Sequence, residues 1–285
     1  MAKEYIEIIE SKKKFWHLDL FELLRYSNLI RMFVKRDFIS VYKQTILGPI
    51  WFFLQPIFTT LIFTLVFGKI GELSPKGTPV FLYYLSGIVL WQYFADCLTK
   101  TSVTFVANQH VFGKVYFPRL TVPISIIISN MLKLGVQLLL FIVALLLHAF
   151  LTNYTIQLNF AILLVPYLIL LMAGMGLGFG LIISSLTIKY RDLQFMIQFG
   201  VQLLMYITPG IIMSYSDLTK NLSEYVWAFK MNPIGPIIET FKYSVLNAGS
   251  FSWYSLVYSS MFTIIILFAG IFTFNKTEQN FMDSI

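Results

Sequence analysis

Residues 123–150 form an apolar run with a single charge, Lys133. A helix apolar on every face must be enclosed by protein or by lipid. About 20 such residues suffice to cross a bilayer. Comparable runs recur along the chain, and they are continuous rather than alternating, which argues for helices and against a β-barrel. The chain is 57% hydrophobic and 12% charged, where a soluble domain carries about 25% charged residues. It therefore reads as an all-α integral membrane protein. Its one cysteine, Cys97, excludes a disulfide framework and a cysteine-built zinc site. The net charge of +7 fits loops held on the cytoplasmic side better than nucleic-acid binding. The polar opening MAKEYIEIIESKKKFWHLD shows no cleavable signal peptide.

Six spans are expected, at about residues 49–68, 81–98, 134–150 (within the run 123–150, which is too long for one perpendicular crossing), 160–186, 193–212 and 254–274. Gly48-Pro49 lets the chain turn into the first span, because a first-turn proline has no N–H to waste. Pro56 in the next turn should kink that helix and free a carbonyl. Gln55 is either its partner or merely interfacial. Asp96 and Lys100 stand four residues apart and can pair along the second span. Lys133 either snorkels to the cytoplasmic interface or is a functional intramembrane charge. In GMGLGFG, Gly174 with Gly178 and Gly176 with Gly180 open two faces to close helix packing.

Basic residues in short loops set the orientation. Lys12, Lys13, Lys14, Arg25, Arg31, Lys35, Arg36 and Lys43 precede the first span; Lys114, Arg119, Lys189 and Arg191 follow the second and fourth. The opposite side has Lys69, Lys76, Lys220, Lys230 and Lys242. Both termini are expected in the cytoplasm. Residues 1–45 are expected to form a cytoplasmic N-terminal segment and residues 46–285 a six-span transmembrane domain.

Two segments outside the spans carry further signals. Leu20, Leu23, Ile30, Val34, Phe38 and Val41 share one sector of a helical wheel, with Arg25, Arg36 and Lys43 opposite. That pattern predicts an amphipathic helix on the cytoplasmic membrane surface, with a break near Ser27-Asn28. Residues 213–253 are too apolar for an ordinary loop. Trp227, Phe229, Ile234, Ile237, Ile238 and Phe241, broken by Pro233 and Pro236, predict two short helices dipping into the outer interface. They would cap a pathway or form an aromatic belt. Chemistry-bearing signals are sparse. His17, His110 and His148 make no metal-spacing pair, and no G-x-x-x-x-G-K-[ST] occurs.

Several stretches resemble one family. KRDFISVYKQTILGPIWFFLQPIFTTLIFTLVFGKI is similar to the N-terminal signature of type-2 ABC exporter permeases that move polysaccharides, the O-antigen, capsule and teichoic-acid permeases among them. NQHVFGKVYFPRLTVP, KYRDLQ and MNPIGPIIETFKYSVL resemble their two cytoplasmic loops and outer hairpin. The resemblance implies a homodimer in the bacterial cytoplasmic (inner) membrane, working with two copies of an ABC ATPase subunit. The partner would bind ATP and Mg; this chain would bind no cofactor and no nucleic acid. The substrate would be a polysaccharide on undecaprenyl diphosphate. Val34, Phe38 and the loop Asn108, Gln109, His110, Val111, Phe112, Gly113 and Lys114 would couple to the ATPase. Trp227, Phe229, Asn232, Pro233, Pro236 and Glu239 would belong to the outer gate. The first and fifth spans of opposite subunits would flank the pathway. A diphosphate needs cationic donors, and Arg36, Lys43, Arg119, Lys133 and Arg191 are the candidates. A type-2 ABC permease for a small lipid or drug, and a non-ABC channel or membrane-embedded enzyme, are the alternatives.

Overall fold

The computed structural model describes residues 20–43, 47–75, 77–115, 117–152, 154–156, 159–221, 224 and 226–282. Lys12, Lys13, Lys14 and Lys76, named above for orientation, lie outside the described residues. Among the described residues the chain is all-helical. Two N-terminal helices, α1 (Leu20–Arg25) and α2 (Ser27–Tyr42), are separated at Tyr26, one residue before the expected break. A 3-10 turn at Gly48–Ile50 leads into α3 (Trp51–Phe63), which continues as a π-helical stretch, Thr64–Ile70. Gly48 has φ +49°; that left-handed conformation suits a residue without Cβ and turns the chain into α3.

The body then follows as α4 (Val80–Ser102), the short α5 (Thr104–Ala107) and α6 (Gln109–Phe112), α7 (Thr121–Thr152), α8 (Val165–Thr187) and α9 (Leu193–Ile207). Three short helices, α10 (Tyr215–Asn221), α11 (Val226–Met231) and α12 (Gly235–Leu246), precede the last, α13 (Trp253–Met282). The expected hairpin thus contains three helices rather than two. The break expected at Pro233 and Pro236 separates α11 from α12, and α10 is the additional helix; Pro236 sits in the first turn of α12, where its ring costs no hydrogen bond.

Among the described residues, four helical segments are long and apolar enough to cross a bilayer: Gly48–Ile70, Thr121–Thr152, Phe160–Thr187 and Trp253–Glu278. The chain is an integral membrane protein. Helix α4 is also long, 23 residues or about 34 Å, but polar residues lower its hydropathy. Most of those residues point into protein, since α4 is the central helix and touches α3, α7, α8, α9 and α12; Lys100, near its C-terminal end, is exposed. Helix α9 is apolar but has only 15 residues.

The glycines of α8 explain why three helices pack so tightly. A Cβ on Gly176 would lie 2.7 Å from Cys97 Cβ, and one on Gly180 would lie 2.5 Å from Thr101 Cβ, so this face seats α4. A Cβ on Gly178 would lie 2.9 Å from the Ile266 backbone, and one on Gly174 2.7 Å from Thr263 Cγ2, so the other face seats α13. Both expected small-residue faces are therefore used.

Elsewhere, hydroxyls satisfy themselves on their own helix. Thr60 donates to the Pro56 carbonyl at 2.6 Å and Thr263 to the Ser259 carbonyl at 2.7 Å, the usual solution where water is absent. Helix α3 runs through Pro56. Gln55 is exposed, and its side chain makes no hydrogen bond among the described residues, so it is not the proline's compensating partner.

Candidate functional site

Three built regions lie along the long axis of α4. At its C-terminal end, phenyl rings join elements distant in sequence. Phe33 of α2 meets Phe117 at 5.9 Å, Phe117 meets Phe112 of α6 at 5.8 Å, and Phe112 meets Phe105 of α5 at 5.9 Å. Phe105 stacks on Phe274 of α13 at 4.5 Å. Phe33, Phe105, Phe112 and Phe274 are all buried. This block fastens α2 to the loop between α4 and α7.

The expected coupling residues divide around the block. Gln109, His110, Gly113 and Lys114 are exposed at the tip. Asn108 is half-buried and donates to the Thr104 carbonyl at 3.0 Å, and Val111 packs at the edge of the block. Val34 and Phe38 are half-buried against the protein, and Phe38 reaches Phe52 of α3 at 5.8 Å. The apolar face of α2 is thus partly occupied by α7. The buried member, Phe33 at 5% exposure, lies outside the wheel sector that Leu20, Leu23, Ile30, Val34, Phe38 and Val41 share. Only its tertiary partners reveal its role.

A polar ladder crosses the interface between α4 and α7. Gln137 donates to Gln92 at 3.2 Å, Lys133 pairs with Asp96 at 2.7 Å, and Lys100 donates to Asn130 at 2.8 Å. The rungs run in opposite directions along the two helices, as antiparallel neighbours require. Two expectations are corrected here. Asp96 does not pair with Lys100, and Lys133 does not snorkel as a free cation. A carboxylate facing an ammonium across a helix interface offsets more of the desolvation of both than an i,i+4 pair turned toward lipid.

At the other end of α4, α12 is packed inside the protein. The Glu239 carboxylate is fully buried. It accepts from the Tyr215 N–H at 3.2 Å, the Ser250 N–H at 2.7 Å and the Ser250 hydroxyl at 3.2 Å. It therefore fastens α10, α12 and the turn before α13 together. Asn232 donates to Thr208 at 3.1 Å, and the Pro233 carbonyl accepts from Ser259 at 2.7 Å. Trp227 is exposed and Phe229 half-buried. Lys242, expected among the outer-loop charges, is fully buried instead, its ammonium 3.2 Å from the Tyr83 ring centroid. It makes no hydrogen bond among the described residues. Burial pushes the Glu239 carboxyl up and the Lys242 ammonium down; the attraction between them opposes both shifts.

The five cationic candidates separate into two kinds. Arg119 is buried, 3.8 Å from the Glu278 carboxylate and 5.4 Å from the Phe112 ring, so it braces the aromatic block. Lys133 belongs to the ladder. Neither is a free cation at the interface. Arg36, Lys43 and Arg191 are exposed. Arg36 pairs with Asp37 at 2.8 Å, and no hydrogen bond or ion pair joins these three among the described residues.

Residues 28–246 match the family model described as ABC-2 type transporter. The chain is 26% identical to an O-antigen export system permease protein, RfbA, of Klebsiella pneumoniae over 258 residues, covering 90% of this chain and 94% of that one. It is 20% identical to the O-antigen export system permease protein RfbA of Myxococcus xanthus, covering 93% and 98%. It is 23% identical to the polysialic acid transport protein KpsM of Escherichia coli, covering 84% and 89%.

Proposed function

Because the chain belongs to the ABC-2 type transporter family, we propose that it is the permease subunit of an ATP-driven polysaccharide exporter in the bacterial cytoplasmic membrane. The cargo is a polymer on undecaprenyl diphosphate. The observation that carries this reading is the near end-to-end match to O-antigen export permeases. Family membership sets the non-ABC channel aside.

The chain crosses the membrane six times, through α3 with its π-helical extension, α4, α7, α8, α9 and α13, with both termini in the cytoplasm. Energy comes from two copies of an ATPase subunit, since this sequence has no phosphate-cradling loop. Those subunits bind ATP and Mg and press on the exposed tip Gln109–Lys114. The aromatic block carries that displacement to α2, because rings in mutual contact move as a packed unit. Helix α2 lies on the inner membrane surface and passes the motion through Phe38 and Gly48-Pro49 into α3. A second copy of the chain covers α3 and α9, which touch through Phe63 and Tyr206 and expose large apolar side chains. The pathway runs between the two copies. Helices α10 to α12 form the outer gate, and Arg36, Lys43 and Arg191 receive the lipid diphosphate.

Deleting the gene tests the cargo. Lipid-linked polysaccharide should accumulate on the cytoplasmic face while surface polymer disappears, and the wild-type chain should restore both. Normal surface polysaccharide in the deletion strain would refute the reading.

A further inference from the structure

Two cavities meet at Phe38. The first, about 430 Å³, is an apolar groove between α2 and α7, lined by Ile30, Val34, Phe38, Ile39, Ile128 and Leu132, with Arg31 and Lys35 at its polar edge. Ile128 is 39% and Leu132 48% exposed, so the groove is open at the surface of the chain. The second cavity, about 190 Å³, lies between α2, α3, α4 and α7, and Asp37, Phe52, Lys100, Ser129, Asn130 and Lys133 line it.

The groups around the polar cavity are incompletely satisfied. The buried Ser129 hydroxyl has no hydrogen-bond partner among the described residues. Lys133 is matched by Asp96, and Asp37 by Arg36. Lys100 has three donors, and among the described residues one of them is used, on Asn130. Lys100 in the polar cavity, and Arg31 and Lys35 at the edge of the apolar groove, face no carboxylate within ion-pair distance among the described residues. The pair of cavities therefore joins an apolar slot to a polar end with excess positive charge.

We propose that together they bind one acidic phospholipid of the leaflet on which α2 lies. An acyl chain fills the α2–α7 groove, and the phosphate accepts from Lys100 and Ser129. The phospholipid acts as a wedge that sets the distance between α2 and α7, and so the angle of the lever. The inference rests on the reading above that α2 lies at the membrane surface. A phosphate head on an acyl tail could also come from the lipid-linked cargo. We assign the site to the phospholipid because the groove lies within one copy of the chain, away from the exposed α3 and α9 faces.

The test uses the purified full-length chain in detergent. Phosphatidylglycerol or phosphatidylethanolamine with identical acyl chains is titrated, with binding read by native mass spectrometry and by thermal unfolding. Phosphatidylglycerol should bind once per chain, at least roughly ten-fold more tightly than phosphatidylethanolamine. A lost hydrogen bond to a charged group weakens binding roughly ten-fold or more, so Lys100→Gln should remove most of that preference. Ser129→Ala should remove part of it, and Lys189→Gln, on the loop after α8, none. Leu132→Trp should fill the groove and weaken both lipids; because it leaves the polar cavity intact, it keeps the test open if Lys100→Gln does not fold. Equal affinity for the two lipids, or a preference untouched by both Lys100→Gln and Ser129→Ala, overturns the proposal. Displacement of phosphatidylglycerol by equimolar undecaprenyl diphosphate, with Lys100→Gln weakening both, also overturns it by giving the site to the cargo. The readout is binding, so loss of the exporter reading through the deletion experiment would leave this result interpretable.

Discussion

Helices α9 and α12 are close in sequence and opposite in environment. Helix α12 carries Pro236, Glu239 and Lys242, yet eleven of its twelve residues are buried. Helix α9 carries no charge, yet only Val201 among its fifteen residues is buried. Hydropathy ranks them the wrong way round for burial. An internal helix can hold charges if neighbours satisfy them, as Ser250 and Tyr215 satisfy Glu239. An apolar helix left outside its own chain needs lipid or a second copy to cover it. The enclosed part of the subunit is thus the polar one, and the exposed part is the greasy one.

The largest effect should separate these two helices directly. Glu239→Ala strands the Tyr215 and Ser250 donors and leaves Lys242 without its counter-charge. Removing one partner of a buried charged network costs about 3–5 kcal/mol, to be measured by thermal unfolding in detergent and by yield. Phe199→Ala on exposed α9 should change unfolding of the single chain by less than about 0.5 kcal/mol while reducing co-purification of two differently tagged copies. Equal destabilisation by the two substitutions would break the comparison.

The ladder predicts a smaller loss. Asp96→Leu leaves Lys133 unpaired and should cost about 1–3 kcal/mol, the buried-pair value discounted for partial exposure of both groups. Asp96→Leu with Lys133→Met should recover most of that in a double-mutant cycle. Additive losses would mean the 2.7 Å pair does not couple α4 to α7.

Glycines sharpen the contrast further. Gly178→Ala should cost about 1–3 kcal/mol, since the new Cβ would press on the Ile266 backbone. Gly200→Ala on α9 meets nothing within 4 Å and should stabilise the helix by up to about 1 kcal/mol. Thermal unfolding of the two variants side by side decides it; a shift of the same sign in both would contradict the packing described.

The smallest effect concerns the exposed cations. Arg191→Lys keeps the charge but loses the bidentate fork. If Arg191 receives the diphosphate, half-saturation of ATPase stimulation by lipid-linked polysaccharide should rise roughly five-fold, about 1 kcal/mol. A role confined to topology would leave it unchanged.

Local chemistry was legible in the sequence; tertiary partners were not. The apolar runs gave the helices, Gly48-Pro49 gave the turn into α3, and GMGLGFG gave two close-packing faces. Asp96 was misassigned because Lys100 is its neighbour along the helix, whereas Lys133 becomes its neighbour only when α7 folds against α4. Lys242 looked like an outer-loop charge because nothing in residues 213–253 announces that α12 will be enclosed by α4 and its surroundings. The aromatic block escaped notice because Phe33, Phe117 and Phe274 are joined only by the fold. For the same reason Arg119 looked free for a ligand while Glu278, far along the chain, holds it.

The central claim is that this chain guides a polymer while another subunit supplies the energy. The direct measurement is ATP hydrolysis in vesicles containing the purified chain, with and without its P-loop ATPase partner, in the presence and absence of lipid-linked polysaccharide. The chain alone should show background turnover, and the complex should be stimulated by the lipid-linked polymer. Robust hydrolysis by the chain after removal of every partner, or a complex indifferent to the polymer, would contradict it.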